Sequence, residues 1–103
     1  MLSENQEYLK ILADLIKIKS VNDHELEVAE YLKDLFQKND IHLEILPIKG
    51  QRANLVAEIG SGAPVLAVSG HMDVVDPGNL TAWDSDPFTM TEKDGKLFGR
   101  GIT

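Results

Sequence analysis

His71 and Asp73 stand two residues apart in Gly70-His71-Met72-Asp73. In an extended chain, residues at that spacing point the same way and lie about 7 Å apart along the backbone. An imidazole so placed can ligate a metal through one ring nitrogen while the carboxylate accepts a hydrogen bond from the other, which fixes the tautomer and raises basicity. Gly70 leaves room for close approach. Ligands of open α/β sheets gather just beyond the carboxyl ends of strands, and the pair follows an apolar run that reads as a strand. The spacing alone has little weight: three His and nine Asp in 103 residues produce His-x-Asp by chance about a quarter of the time. A hydrogen-bonded structural histidine is the competing reading.

The other chemistry-bearing residues point elsewhere. His24 falls at a helix start and His42 on the polar side of a strand, so both read as solvent-facing. Asp76, Asp84 and Asp86 could gather on a hard cation, but their Pro/Gly-rich loop favours aspartate for turn hydrogen bonds. Trp83 and Phe88 flank the Asp86-Pro87 turn, where they either pack the loop down or line a cleft. Arg100 is flanked by two glycines in an acid-rich stretch; a carboxylate such as Asp73 or Asp76 and an anionic substrate are both open to it. Gly60-Ser61-Gly62 lacks the longer glycine pattern and lysine of a phosphate loop.

Several elements must position these residues. Leu9, Leu12 and Ile16, widened by Ile11, Leu15 and Ile18, mark one side of a helix over residues 4–19, with Ser3 and Gln6 as a capping box. A break at Ser20-Val21-Asn22-Asp23 precedes a second helix from about His24 to Lys38, with Asn22 or Asp23 as its cap and Leu26, Ala29, Leu32, Leu35 and Phe36 as its buried face. The period then changes to two. Ile41, Leu43 and Ile45 form one strand, Ala53, Leu55, Ala57 and Ile59 the next, and the two are expected to pair antiparallel around Lys49-Gly50-Gln51. Val65-Leu66-Ala67-Val68 is continuously apolar, as in an interior strand covered on both faces. Phe88 to Phe98 is expected to fold back around Lys93-Asp94-Gly95. The fold class is α/β: two amino-terminal helices packed on an incomplete mixed sheet, with nothing left to cover its second face.

Three blocks carry a family resemblance: Ser69-Gly70-His71-Met72-Asp73-Val74-Val75-Asp76-Pro77-Gly78, then Trp83 with Asp86-Pro87-Phe88, then Asp94-Gly95-Lys96-Leu97-Phe98-Gly99-Arg100-Gly101-Ile102-Thr103. In that order they resemble the di-zinc amidohydrolase and metallopeptidase family of acetylornithine deacetylase, succinyl-diaminopimelate desuccinylase, aminoacylase and glutamate carboxypeptidase, with wording most like the desuccinylase and deacetylase group. The resemblance implies that the chain is the amino-terminal part of a zinc-dependent exopeptidase-like catalytic domain, the remainder of that domain and a lid or dimerisation domain lying outside it. It also implies that His71 ligates one zinc and that Asp73 steadies it. A metal-bridging aspartate, a glutamate general base and further ligands would follow beyond Thr103. The complete protein so implied holds two zinc ions, with cobalt as an alternative, acts as a homodimer, and hydrolyses the amide of a small N-acylated amino acid or peptide. Its metal-activated water would attack the acyl carbonyl.

A catalytic zinc needs about three protein ligands, whereas one position here matches a ligand of the motif. The 103-residue chain alone is therefore expected to be inactive and to bind zinc weakly or not at all. A metallo-dipeptidase or carboxypeptidase of the same family, and a non-catalytic α/β interaction module, are the alternatives.

Composition narrows the field further. Ten basic against seventeen acidic residues leave a net charge of −7, which disfavours nucleic acid as a partner because phosphate neutralisation needs a basic face. The absence of cysteine removes disulfide scaffolds, thiolate zinc sites and cysteine nucleophiles. No apolar run approaches the ~20 residues of a membrane span, and Met1 to Glu7 lacks signal-peptide character, so a cytoplasmic protein without membrane contact is expected. An uncovered sheet built on residues 65–68 should make the chain self-associate.

Overall fold

The computed structural model describes residues 4–102. Two helices, α1 (Glu4–Lys17) and α2 (Leu26–Gln37), come first, followed by strands β1 (Leu43–Lys49) and β2 (Arg52–Ala57); a short 3₁₀ turn at Leu80–Ala82 precedes β3 (Thr91–Lys93) and β4 (Lys96–Phe98). The chain is α/β, as its periodicities imply. Ser3, half of the expected capping box, lies outside the described residues.

The change of period at Ile41 yields the expected antiparallel hairpin, with Leu43 opposite Ala57, Ile45 opposite Leu55 and Pro47 opposite Ala53. These six residues share one face, and α2 lies against both strands on that side. The core is small: Ile16, Val28, Ala29, Leu43 and Ala53 are the buried apolar residues. In α2 the buried positions are Val28 and Ala29, while Leu26, Leu32, Leu35 and Phe36 are half-buried. The helix is thus turned so that Val28 serves a second contact, the cleft beside α1.

The start of α2 differs from expectation in an informative way. The helix begins at Leu26, and the residue before it, Glu25, makes no side-chain capping bond. Asp23 is in the left-handed region at φ 73°, and its carboxylate meets Arg52 Nε at 3.3 Å instead. Arg52 Nε is also 3.3 Å from Glu25 Oε1, and Leu26 N–H donates to Gln51 O at 2.9 Å. The tip of the β1–β2 hairpin therefore does the work of a cap, satisfying a free backbone donor and balancing two acids.

A single mixed sheet does not form. The two ladders, β1–β2 and β3–β4, are separate and antiparallel, and an isolated parallel bridge joins Val21 to Val74. Val65 to Val68 is no strand here: Val65, Leu66 and Val68 are 83%, 88% and 90% exposed. An extended segment becomes a strand only when a neighbour takes its N–H and C=O groups, and among the described residues none lies alongside. The expected turn-back at the carboxyl side is present as β3–β4, with Asp94 at φ 55° and Gly95 at φ 75°. Positive φ at both central residues is what a two-residue hairpin requires.

Candidate metal centre

The segment that carries His71 has no regular structure of its own and is held at Val74. Val74 N–H donates to Ser20 O at 2.9 Å, and Asn22 N–H donates to Val74 O at 3.0 Å. The link between α1 and α2 thus acts as a short strand for this segment, which is why Ser20 is buried. From the other side Gly101 presses on Val74: a Cβ there would sit 3.0 Å from Val74 Cγ1, at φ +98°. A side chain there would be strained by the backbone conformation and would press on Val74. Gly99 is packed as tightly, with a Cβ position 3.0 Å from Ile16 Cγ2. The Gly-Arg-Gly block is therefore a flat wedge between α1 and the His71 segment.

His71 is brought against Asp73 as its spacing predicts. Its ring is 84% exposed and Nδ1 lies 3.4 Å from Asp73 Oδ1. The shorter contact is with the backbone: Nδ1 is 2.8 Å from Asp73 O. A carbonyl can only accept, so Nδ1 carries the proton and donates, which leaves Nε2 with its lone pair directed away. Reasoning from side chains found the right residue but the secondary atom, because a chain that curls over two residues brings its own carbonyl closer than its carboxylate.

Asn22 is the neighbour that sequence reasoning assigned to a helix cap. Its side-chain amide faces two acceptors, so the nitrogen must be the atom presented to them; it then donates to Asp73 Oδ2 at 3.2 Å and to Val74 O at 3.3 Å. The signal was present in the sequence as an Asn in the tight Val21-Asn22-Asp23 break, but nothing local ties that break to residue 73. Behind the pair, an open cleft of about 310 Å³ is lined by Met72 and Val74 on one side and Leu12, Ile16, Val28 and Leu32 on the other. Met72 and Val74 are half-buried there, while the imidazole is exposed at the rim.

Arg100 lies on the same cleft but pairs with neither Asp73 nor Asp76. Its guanidinium stacks over the Trp83 ring, 4.9 Å from the centroid, and Nη2 is 3.5 Å from Pro77 O. Trp83 Nε1 donates to that same carbonyl at 3.0 Å, and Arg100 N–H donates to Pro87 O at 2.7 Å. Trp83 thus packs the loop down, and Phe88 sits beneath Lys19 Nζ at 5.5 Å. Asp76 and Asp86 serve turns, Oδ1 of each accepting from a backbone N–H, Gly78 at 2.7 Å and Phe88 at 2.9 Å. His24 bonds backbone carbonyls within its own turn, and His42 lies exposed beside Glu44.

Among the described residues, no three or more His, Asp or Glu side chains come close enough together to hold a metal ion. His71 suits one coordination position in its chemistry, with one nitrogen occupied and the other open, and a closed metal site needs donors beyond these.

The exposed histidine, the aspartate beside it and the Gly-Arg-Gly turn all lie within residues 67–103, the stretch that matches the model of peptidase family M20/M25/M40. Particular relatives narrow this further. The chain is 61% identical over 103 residues to a probable succinyl-diaminopimelate desuccinylase of Staphylococcus epidermidis, covering all of this chain and 25% of that protein. It is 56% identical over 98 residues to the probable succinyl-diaminopimelate desuccinylase of Staphylococcus aureus, covering 95% and 24%. A succinyl-diaminopimelate desuccinylase of Bordetella pertussis is 40% identical over 93 residues, covering 90% and 24%. The chain spans about a quarter of the length of the curated relatives it matches.

Proposed function

We propose that this chain is part of the catalytic domain of an amide hydrolase that releases the acyl group from an N-acylated amino acid, with N-succinyl-diaminopimelate as the substrate class. The observation that carries the reading is His71, held Nδ1-protonated by Asp73 O at 2.8 Å with Nε2 open, inside the stretch that matches the family. The whole-chain similarity to desuccinylases supports the choice of acyl group. In this reading His71 Nε2 is a ligand to one of two zinc ions, with cobalt able to substitute, and Asp73 positions it. When bound, the metal supplies a Lewis acid for the acyl oxygen and acidifies a water molecule. The chain's own part is to hold the imidazole in one tautomer and keep it at the rim of a cleft.

The 103 residues by themselves supply one ligand and are proposed to be inactive, binding zinc weakly. The complete protein is proposed to be a cytoplasmic homodimer. No helix among the described residues is long and apolar enough to cross a membrane. The test is a substrate panel on the product of the complete reading frame: N-succinyl-diaminopimelate, N-acetylornithine and simple dipeptides. Preferred cleavage of the succinyl amide, lost with a chelator and restored by zinc, is the expected result. Preference for dipeptides would move the protein to the peptidase branch, and no hydrolysis of any amide would leave an interaction module.

A further inference from the structure

Asn22 is exposed and lies far from His71 in sequence, yet its side chain ends on the aspartate that braces His71. Its backbone N–H and, at 3.3 Å, its side-chain nitrogen converge on Val74 O, while that nitrogen also meets Asp73 Oδ2 at 3.2 Å. The other carboxylate oxygen, Oδ1, faces His71 Nδ1 at 3.4 Å. The three residues form a chain of contacts in which each hydrogen-bonding direction is fixed: amide to carboxylate, imidazole N–H to the same residue.

We propose that Asn22 is a positioning residue for His71, acting through Asp73. Without a donor on Oδ2, the carboxylate rotates toward solvent and His71 Nδ1 loses Oδ1 as its second acceptor, while Asp73 O stays in place on the main-chain link to Ser20. Asn22 thereby strengthens the bias that leaves Nε2 open for coordination. This rests on the proposed role of His71 as a ligand, but the positioning can be read without any metal.

The experiment is ¹⁵N NMR of the His71 ring in the metal-free product of the complete reading frame at about pH 8, above the ordinary histidine range. The wild type should show the Nδ1–H tautomer in excess. Asn22→Ala should lower the ratio of Nδ1–H to Nε2–H by about threefold or more, the scale of one lost hydrogen bond. Asn22→Asp has the same shape but no donor and sets a like charge beside Asp73, so it should lower the ratio at least as far. Because the bonds at Val74 N and O involve main-chain groups, an unchanged Val74 amide signal shows that the link is intact in whichever variant is read. An unaltered tautomer ratio in Asn22→Asp would overturn the proposal. Titration of the wild-type product of the complete reading frame with Zn²⁺ is the separate arm: a shift confined to Nε2 supports His71 as a ligand, whereas no ring shift there overturns that role and leaves the tautomer result to decide on Asn22.

Discussion

His71 owes its usefulness to a neighbour's backbone as much as to a neighbour's side chain. With Nδ1 2.8 Å from Asp73 O and 3.4 Å from Asp73 Oδ1, both contacts favour the same tautomer, so the loss of one should be partial rather than total. In the complete protein, Asp73→Ala should therefore weaken zinc affinity by about 10–100-fold, the range for groups that orient a ligand, while Asp73→Asn, which keeps the peptide geometry, should lie at the lower end. Competition with a chromogenic chelator measures this; equal affinity in both variants and the wild type would contradict the orienting role. Arg100 presents a contrast at the same scale. A cation beside acids invites an ion pair on paper, but this one is spent on an indole face and a proline carbonyl, where its planar group stacks while Nε stays buried without a partner.

Among the elements, α1 and α2 are joined by Tyr31, whose hydroxyl donates to Asp14 Oδ2 at 2.9 Å. Burial above all, then the bond to Asp14 and its charge, push the Tyr31 pKa from 10.0 to about 12. A pKa raised by folding stabilises the fold fully below the unfolded value of 10.0 and is lost as pH rises toward 12. Asp14 shows the opposite sign: the hydrogen bond from Lys10 holds it below 3.8, so its contribution exists above that pH and fades on acidification. The stability advantage of the wild type over Tyr31→Phe should be about 1 kcal/mol near neutrality and shrink above pH 10. Urea unfolding at several pH values reads it; an advantage that holds constant through that range would contradict the assignment. At the wedge, Gly101→Ala meets both positive φ and Val74, and should cost about 1–3 kcal/mol; an unchanged urea midpoint would show that the contact is not tight. The helices, the β1–β2 hairpin and the β3–β4 turn were legible from periodicity and turn residues, since those signals are local. The cap of α2 and the fate of Val65–Val68 were not. Asn22 and Asp23 have the chemistry of caps, and only the arrival of Val74 and Arg52 from distant sequence redirects them. Likewise, an apolar run announces a strand but not whether a partner strand lies beside it. His71 and Asp73 were legible as a pair because two-residue spacing is local, while Asn22 required the tertiary contact.

The molecule as a whole is open. It exposes 8172 Å², where a compact 11.4 kDa protein exposes roughly 5,800 Å², and its radius of gyration of 15.6 Å exceeds the ~13 Å of a compact chain of this length. Much of the excess is apolar: Val65, Leu66 and Val68 in the unpaired segment, and Leu46, Ile48 and Val56 on the uncovered face of the hairpin. Exposed apolar segments with free backbone groups invite pairing. The 103-residue chain should therefore self-associate, with weight-average mass rising with concentration in light scattering, and charged substitutions at Leu66 and Val68 should suppress the rise; a monomer at every concentration would contradict this. Under the proposed function, this open layer carries one arm of a metal-dependent amide hydrolase. The most direct test is the rate of N-succinyl-diaminopimelate hydrolysis by the complete reading-frame product, wild type against His71→Ala, with bound zinc measured in the same samples. His71→Ala should lose both bound zinc and nearly all turnover. Full zinc content and undiminished turnover in that variant would contradict it.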